Sequence, residues 1–223
     1  SQVTNLNLAG NNISAEGIIA LVEVLPQSQI TEIDLSDSKI GAEGVTALAK
    51  ALPQSQVIAL FLWNNNIGIE GAAALAKALP QSKIVGLVLG GNKIGAEGVA
   101  ALANSLPQSQ ITSLNLDGDK IGDAGATALA AVLAQSQVSV LCLTRNNIGV
   151  EGAIALAKVL PQSQVTDLDL QLNKIDAKNS TTAMMEALAQ SQVTDLDLAN
   201  YNSNKIEPDS IITSMAKALN IEV

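Results

Sequence analysis

The sequence predicts an α/β solenoid in which a strand, a turn and a helix repeat and the strands stack in parallel. Three observations predict it. Ser1-Gln2-Val3 returns as Ser28-Gln29-Ile30 and Ser55-Gln56-Val57, then at Ser82, Ser109, Ser136 and Ser163, with Ser191 one residue late. A period in this range marks a stacked array whose units contact only their neighbours. Each period also holds an alternating apolar pair and then a helix-length apolar stretch. Finally, only one face of the strands is consistently apolar. The whole chain, 1–223, reads as one domain of eight units starting at 1, 28, 55, 82, 109, 136, 163 and 191.

The third unit shows how each element arises. Leu60 and Leu62 alternate as one face of a strand does, with Val57 and Ile67 as further apolar positions. Asn65 follows in the turn. Gly68-Ile69-Glu70-Gly71 opens a helical stretch over Ala72 to Leu79, and Pro80 with the polar Gln81-Ser82 is expected to end it. The residue after the in-phase Ile is Ser14, Gly41, Gly68, Gly95, Gly122, Gly149 or Asp176. All are suited to an N-cap. Glu16, Glu43, Glu70, Glu97 and Glu151 stand in the first turn, where a negative charge meets the positive helix end. Small residues such as Ala74 and Ala76 permit close helix packing. The apolar pairs (Leu6 and Leu8, Ile33 and Leu35, Leu60 and Leu62, Leu87 and Leu89, Leu114 and Leu116) lie under the helices, so the opposite sheet face is open.

Composition limits the function. Apolar residues make up 48% of the chain, but there is one Phe, one Trp and one Tyr, so the core is aliphatic. Acidic residues outnumber basic ones 21 to 12, for a net charge of -9, which repels nucleic-acid phosphates. With no His, the usual general base and the commonest metal ligand are missing. Cys142 is the only cysteine, so no intrachain disulfide forms and a reducing compartment fits better. No apolar run has membrane-spanning length. The chain begins in phase and without Met, so it reads as trimmed. Asn12-Ile13-Ser14 and Asn179-Ser180-Thr181 fit the glycosylation acceptor pattern and are read as chance matches.

Val3-x-x-Leu6-x-Leu8-x-x-Asn11-x-Ile13 resembles the leucine-rich-repeat consensus. The long helical half, Ala15-Glu16-Gly17 to Leu25-Pro26, is similar to the ribonuclease-inhibitor-like subclass, which also occurs in NOD-like receptors, Ran GTPase-activating protein and some bacterial effectors. The resemblance covers all eight units. It implies a right-handed α/β horseshoe solenoid with a parallel concave sheet and convex helices. It also implies a structural ladder of Asn11, Asn65, Asn92, Asn146, Asn173 and Asn204 that satisfies turn backbone groups. Ser38 and Asp119 depart from the ladder and are expected to mark looser turns. The Cys-rich caps of extracellular members are missing, so an intracellular, cytoplasmic location is expected, in the chain's own cell or in a host. The bulky first helix, Ile18-Ile19-Ala20-Leu21-Val22, and the insertion Ala199-Asn200-Tyr201-Asn202-Ser203 read either as modest caps or as irregularities in a slice of a longer array.

The open strand positions are the candidate binding surface. In the third unit they are Ile58, Ala59, Phe61, Trp63 and Asn64; in the fourth, Val85, Gly86, Val88, Gly90 and Gly91. Phe61 and Trp63 are expected to be exposed and to anchor a protein partner, because buried aromatics dominate interface energy. The competing reading has Trp63 folded over the Gly90 gap. Asp167 and Asp169 fall beside Asp195 and Asp197, as a site for a hard cation or a basic segment, or, as the favoured reading, a solvated acidic face. Glu32, Asp34 and Asp37 form a second acidic group across the aromatic strand. Arg145, the only arginine, is an outward position and the one candidate for an arginine finger, which would need a positioned loop and polar helpers. Cys142 projects outward without a base. Gly90-Gly91-Asn92-Lys93-Ile94-Gly95 lacks the ending of a phosphate loop. The expected function is a non-enzymatic protein-binding scaffold without cofactors, whose partner carries an apolar anchor and basic flanks. A regulatory GTPase-activating module, or a structural fragment of a larger receptor or effector, is the alternative.

Overall fold

The computed structural model describes residues 3–175 and 189–198. The expectations placed on Asp176, Asn179-Ser180-Thr181, the 199–203 insertion and Asn204 fall outside these residues. Eight short strands form one parallel sheet in chain order: β1 (Asn5–Asn7), β2 (Glu32–Asp34), β3 (Ala59–Phe61), β4 (Gly86–Val88), β5 (Ser113–Asn115), β6 (Val140–Cys142), β7 (Asp167–Asp169) and β8 (Asp195–Asp197). The register is one full repeat from strand to strand, so Ile33 stands opposite Leu60, and Leu60 opposite Leu87. Helices α1 (Ala15–Val24), α2 (Gly41–Ala51), α3 (Gly68–Ala78), α4 (Gly95–Ser105), α5 (Gly122–Leu133) and α6 (Val150–Val159) stack beside it, each against the next.

The core is a continuous cluster between the two layers. Leu60, Leu62, Leu87, Leu89, Leu114 and Leu116 point into it from the strands, and Leu75, Leu102 and Leu129 meet them from the helices, all essentially without solvent contact. Helices stand about 8–10 Å apart and strands about 4.8 Å apart, so stacking both layers in register bends the array with the sheet inside. Helices approach closely because small residues line their contacts. A Cβ on Gly98 would press on Ala72 Cβ at 3.2 Å.

The helix boundaries differ from expectation at both ends. Pro80 does not stop the chain's helical path. Leu79–Gln81 forms a 3-10 turn after α3, and the same Leu-Pro-Gln turn follows α1, α2, α4 and α6. Proline fits early in such a turn because its missing N–H is not needed there. Where Ala134 replaces the proline, the α-helix instead runs on to Leu133. At the other end only Ser14 and Gly149 occupy N-cap positions, and neither is a side-chain cap. Gly41, Gly68, Gly95 and Gly122 are already the first helical residues. The reason is geometric. Their φ of 58–67° turns each N–H onto the next repeat, where it donates to the carbonyl of Asn65, Asn92, Asp119 or Asn146 at 2.9–3.0 Å.

The serine beat has a local cause. Ser55 Oγ donates to Leu52 O at 2.9 Å and accepts Val57 N–H at 3.3 Å. Ser28, Ser82, Ser109, Ser136 and Ser163 make the same pair of bonds. Each serine closes the turn that sends the chain from helix to strand.

Candidate functional site on the concave face

Residues alternating with the buried leucines form rows across the open sheet face. One row runs Asn5, Glu32, Ala59, Gly86, Ser113, Val140, Asp167, Asp195, and the next runs Asn7, Asp34, Phe61, Val88, Asn115, Cys142, Asp169, Asp197. An apolar island occupies the third and fourth repeats. Ile58 is 44% exposed, while Phe61, Trp63, Val85 and Val88 are half-buried. Acidic residues border the island on one side, where Glu32, Asp34 and Asp37 lie; Asp167, Asp169, Asp195 and Asp197 form a separate acidic group, set apart from the island by Ser113, Asn115, Val140 and Cys142 of β5 and β6.

The two aromatics are less exposed than the strand alternation suggests. The six-membered ring of Trp63 lies over Gly90, where any Cβ would collide with it and would stand 3.0 Å from Asp117 O. The ring fills the gap left by the glycine, so Trp63 is part of the surface's own packing.

Five of these acidic side chains, Asp34, Asp37, Asp167, Asp169 and Asp197, are already engaged. Asp34 Oδ1 accepts Ser36 N–H and Asp169 Oδ1 accepts Gln171 N–H, both at 2.9 Å, as Asn7 and Asn115 accept Ala9 and Asp117 N–H. These residues hold the strand-to-turn bend. Further local contacts join Asp34 Oδ2 to Asn7 Nδ2 at 3.4 Å, Asp37 Oδ1 to Asn64 Nδ2 at 2.6 Å, Asp167 Oδ2 to Thr166 Oγ1 at 2.7 Å, and Asp197 Oδ2 to Gln171 Nε2. No cluster of three or more His, Cys, Asp or Glu side chains is arranged to hold a metal ion among the described residues.

Arg145 is exposed and its guanidinium pairs with Asp117 Oδ2 at 3.3 Å. Burial raises the Asp117 carboxyl above its usual range, and Arg145 opposes that rise. The Cys142 thiol lies 3.4 Å from Thr144 Oγ1 and is pushed up, chiefly by burial, away from the reactive thiolate form.

Behind the site runs a ladder of turn side chains. Asn65 Oδ1 accepts Ser38 and Ile40 N–H at 3.1 and 3.3 Å, and its Nδ2 donates to Leu35 O and Trp63 O. Asn92, Asn146 and Asn173 repeat the pattern, each fully or nearly buried. Asn11, in the first repeat, is exposed and makes only the donor half, to Leu8 O and Ala9 O at 3.1 Å. The two substituted rungs are not loose. Ser38 is buried and its hydroxyl stands 3.2 Å from Leu8 O and 3.1 Å from Ser36 O, so it keeps the donor half. Asp119, also buried, keeps the acceptor half through Asn92 N–H at 2.7 Å.

The family model described as "Leucine Rich repeat" matches residues 3–22, 29–49, 83–103, 110–130 and 138–157. The chain is a leucine-rich repeat protein. Among solved structures, this leucine-rich repeat array is similar to actin-binding site 2 of leiomodin-1, with a TM-score of 0.55 and 16% identity over 68% of this chain and 87% of that one. It also matches the leucine-rich repeat-containing protein LegL7 from Legionella pneumophila (TM-score 0.45, 18% identity, 99% of this chain and 92% of that one). An internalin from Listeria monocytogenes matches with a TM-score of 0.48 and 19% identity, over 88% of this chain and 55% of that one. No curated protein matches the chain in sequence. The repeat family accounts for the sheet, the helices and the turn ladder. The island and the two acidic groups occupy the positions that the repeat leaves free.

Proposed function

We propose that this leucine-rich repeat protein is a binding scaffold that takes a protein partner on its concave face. One observation carries the reading: Ile58, Phe61, Trp63, Val85 and Val88 form an apolar island on the concave face, with Glu32 and Asp34 on the neighbouring strand and a second acidic group further along the sheet. A partner with an apolar anchor and basic flanks complements it, one flank meeting Glu32, Asp34 and Asp37 and the other reaching past β5 and β6 to Asp167 and Asp169. The mechanism is rigid presentation. The rows are fixed by a single sheet and a buried ladder, so binding orders few side chains, and that lowers its entropic cost. Overall charge also favours a basic partner and opposes nucleic acid. The leiomodin-1 structure is named for actin binding, which is a precedent for a protein ligand on this fold and says nothing of this chain's own ligand.

The test is capture of partners with the wild-type chain, followed by calorimetry of the captured protein against Ile58→Glu and Trp63→Ala. Each variant is expected to weaken binding by about 10-fold or more, since central anchors contribute about 2 kcal/mol or more. Unchanged affinity for both would remove the island from the interface. The alternative, a GTPase-activating module, rests on Arg145, whose guanidinium is engaged by Asp117. A GTP-hydrolysis assay with wild type and Arg145→Ala separates the two: the scaffold reading expects no stimulation by either.

A further inference from the structure

The fifth repeat carries an aspartate at the ladder position. Asp119 is fully buried. Its Oδ1 accepts Asn92 N–H at 2.7 Å and Ile94 N–H at 3.3 Å, which are the donors that an asparagine accepts in the same place. Its second oxygen, Oδ2, is buried and has no hydrogen-bond partner. In the asparagine rungs this second atom is Nδ2, which donates to main-chain carbonyls. Asn146 Nδ2 reaches Leu116 O at 2.7 Å and Thr144 O at 3.1 Å, and Asn92 Nδ2 reaches Leu62, Leu89 and Gly90 O. By the repeat, the equivalent carbonyls at position 119 belong to Leu89, Leu116 and Asp117. A carboxylate oxygen is repelled there, whereas a carboxyl O–H donates.

We propose that Asp119 is a proton-dependent rung: the folded solenoid holds it as the neutral acid, its O–H standing where asparagine places N–H, and its ionisation loosens the junction between the fourth and fifth repeats. Burial is the main force on this carboxyl and pushes it up to about 7, against the main-chain N–H groups of Ile94, Asn92 and Lys93. The charged groups around it are few. Asp117 in the same turn adds to the rise, and Arg145 of the sixth repeat is paired with Asp117. Asp169 of the seventh repeat acts on Asp117. The Lys93 ammonium is turned to Asn66 Oδ1 at 3.0 Å, and Lys120 is exposed. The inner faces of α4 and α5 are apolar, through Val99, Leu102, Ala126 and Leu129.

The sign follows from linkage. An aspartate freed by unfolding titrates near about 3.9. Between that value and about 7 the folded chain keeps a proton that the unfolded chain has lost. The stabilisation is therefore complete below the unfolded value and is lost as pH rises through the folded one. One linked proton changes the unfolding constant up to about tenfold per pH unit in that window.

The experiment is urea unfolding of wild type, Asp119→Asn and Asp117→Asn from pH 5 to 8, with the Asp119 side-chain carboxyl followed by carbon NMR in the folded chain. From pH 5 to 7 the wild-type unfolding constant is expected to rise by about 50-fold relative to Asp119→Asn, the slope flattening as the folded carboxyl itself ionises, and Asp117→Asn is expected to keep most of the wild-type slope. The Asp119 carbon is expected to titrate near neutrality. Superimposable pH profiles for wild type and Asp119→Asn, or a carboxyl that titrates below pH 5 in the folded chain, would overturn the proposal. The NMR readout stands even if a variant fails to fold.

Discussion

Single residues in this molecule are constrained mainly by the turn, and glycine shows how. Gly118 has φ of 71°, in the left-handed region, and a Cβ there would meet nothing nearer than Gly91 N at 4.0 Å. Gly86 lies in β4 with open space around its missing Cβ. Gly118→Ala is therefore expected to cost about 1 kcal/mol in urea unfolding through backbone strain alone, while Gly86→Ala stays within about 0.5 kcal/mol of wild type. Equal effects would mean that strain is not the governing cost. Gly90 is a third case. Its alanine variant collides with the Trp63 ring and should cost more than either. The same contact revises the expected effect of Trp63→Ala. It now includes lost packing of roughly 1–2 kcal/mol, still below the roughly 2–5 kcal/mol of the core truncation Leu62→Ala.

At the scale of the element, strand, turn and helix were readable because their signals are periodic. The Leu60–Leu62 alternation, the in-phase Ile67 and the alanine-rich run after it each have one physical reading. What was not readable depended on backbone geometry or on a partner in the next repeat. Nothing in Gly41 or Gly68 announces that its N–H serves the following unit, so both look like caps. Ser55 looks like a marker and is a turn clasp. Asp119 and Ser38 look like broken rungs, yet each keeps half of the asparagine's bonds. A full rung should be costly to lose. Asn92→Ala leaves the Asn65 N–H and the Leu62 carbonyl without their partner and is expected to cost about 2–4 kcal/mol in urea unfolding. A cost under about 0.5 kcal/mol would show that the ladder is incidental. Asp167, Asp169 and Asp197 are engaged in the same local way, so calcium titration of β7 and β8 by calorimetry is expected to show no micromolar site. Micromolar affinity would restore the cation reading of Asp167, Asp169, Asp195 and Asp197.

For the whole molecule, curvature and rigidity turn a list of free positions into one surface. The sequence placed Ile58, Phe61, Trp63, Val85 and Val88 in one patch because strand register is the repeat itself. It did not reveal that Trp63 would lie down on Gly90, because that depends on side-chain direction across two strands. The most direct test of the account compares faces. A captured partner is titrated by calorimetry against wild type, the concave variant Ile58→Glu and the convex variant Lys77→Glu, with folding of each checked by circular dichroism. Both altered side chains are exposed, so neither change opens the core. The account predicts at least about a 10-fold loss of affinity for Ile58→Glu and wild-type affinity for Lys77→Glu. The reverse order, a partner lost with Lys77→Glu and kept with Ile58→Glu, would contradict it.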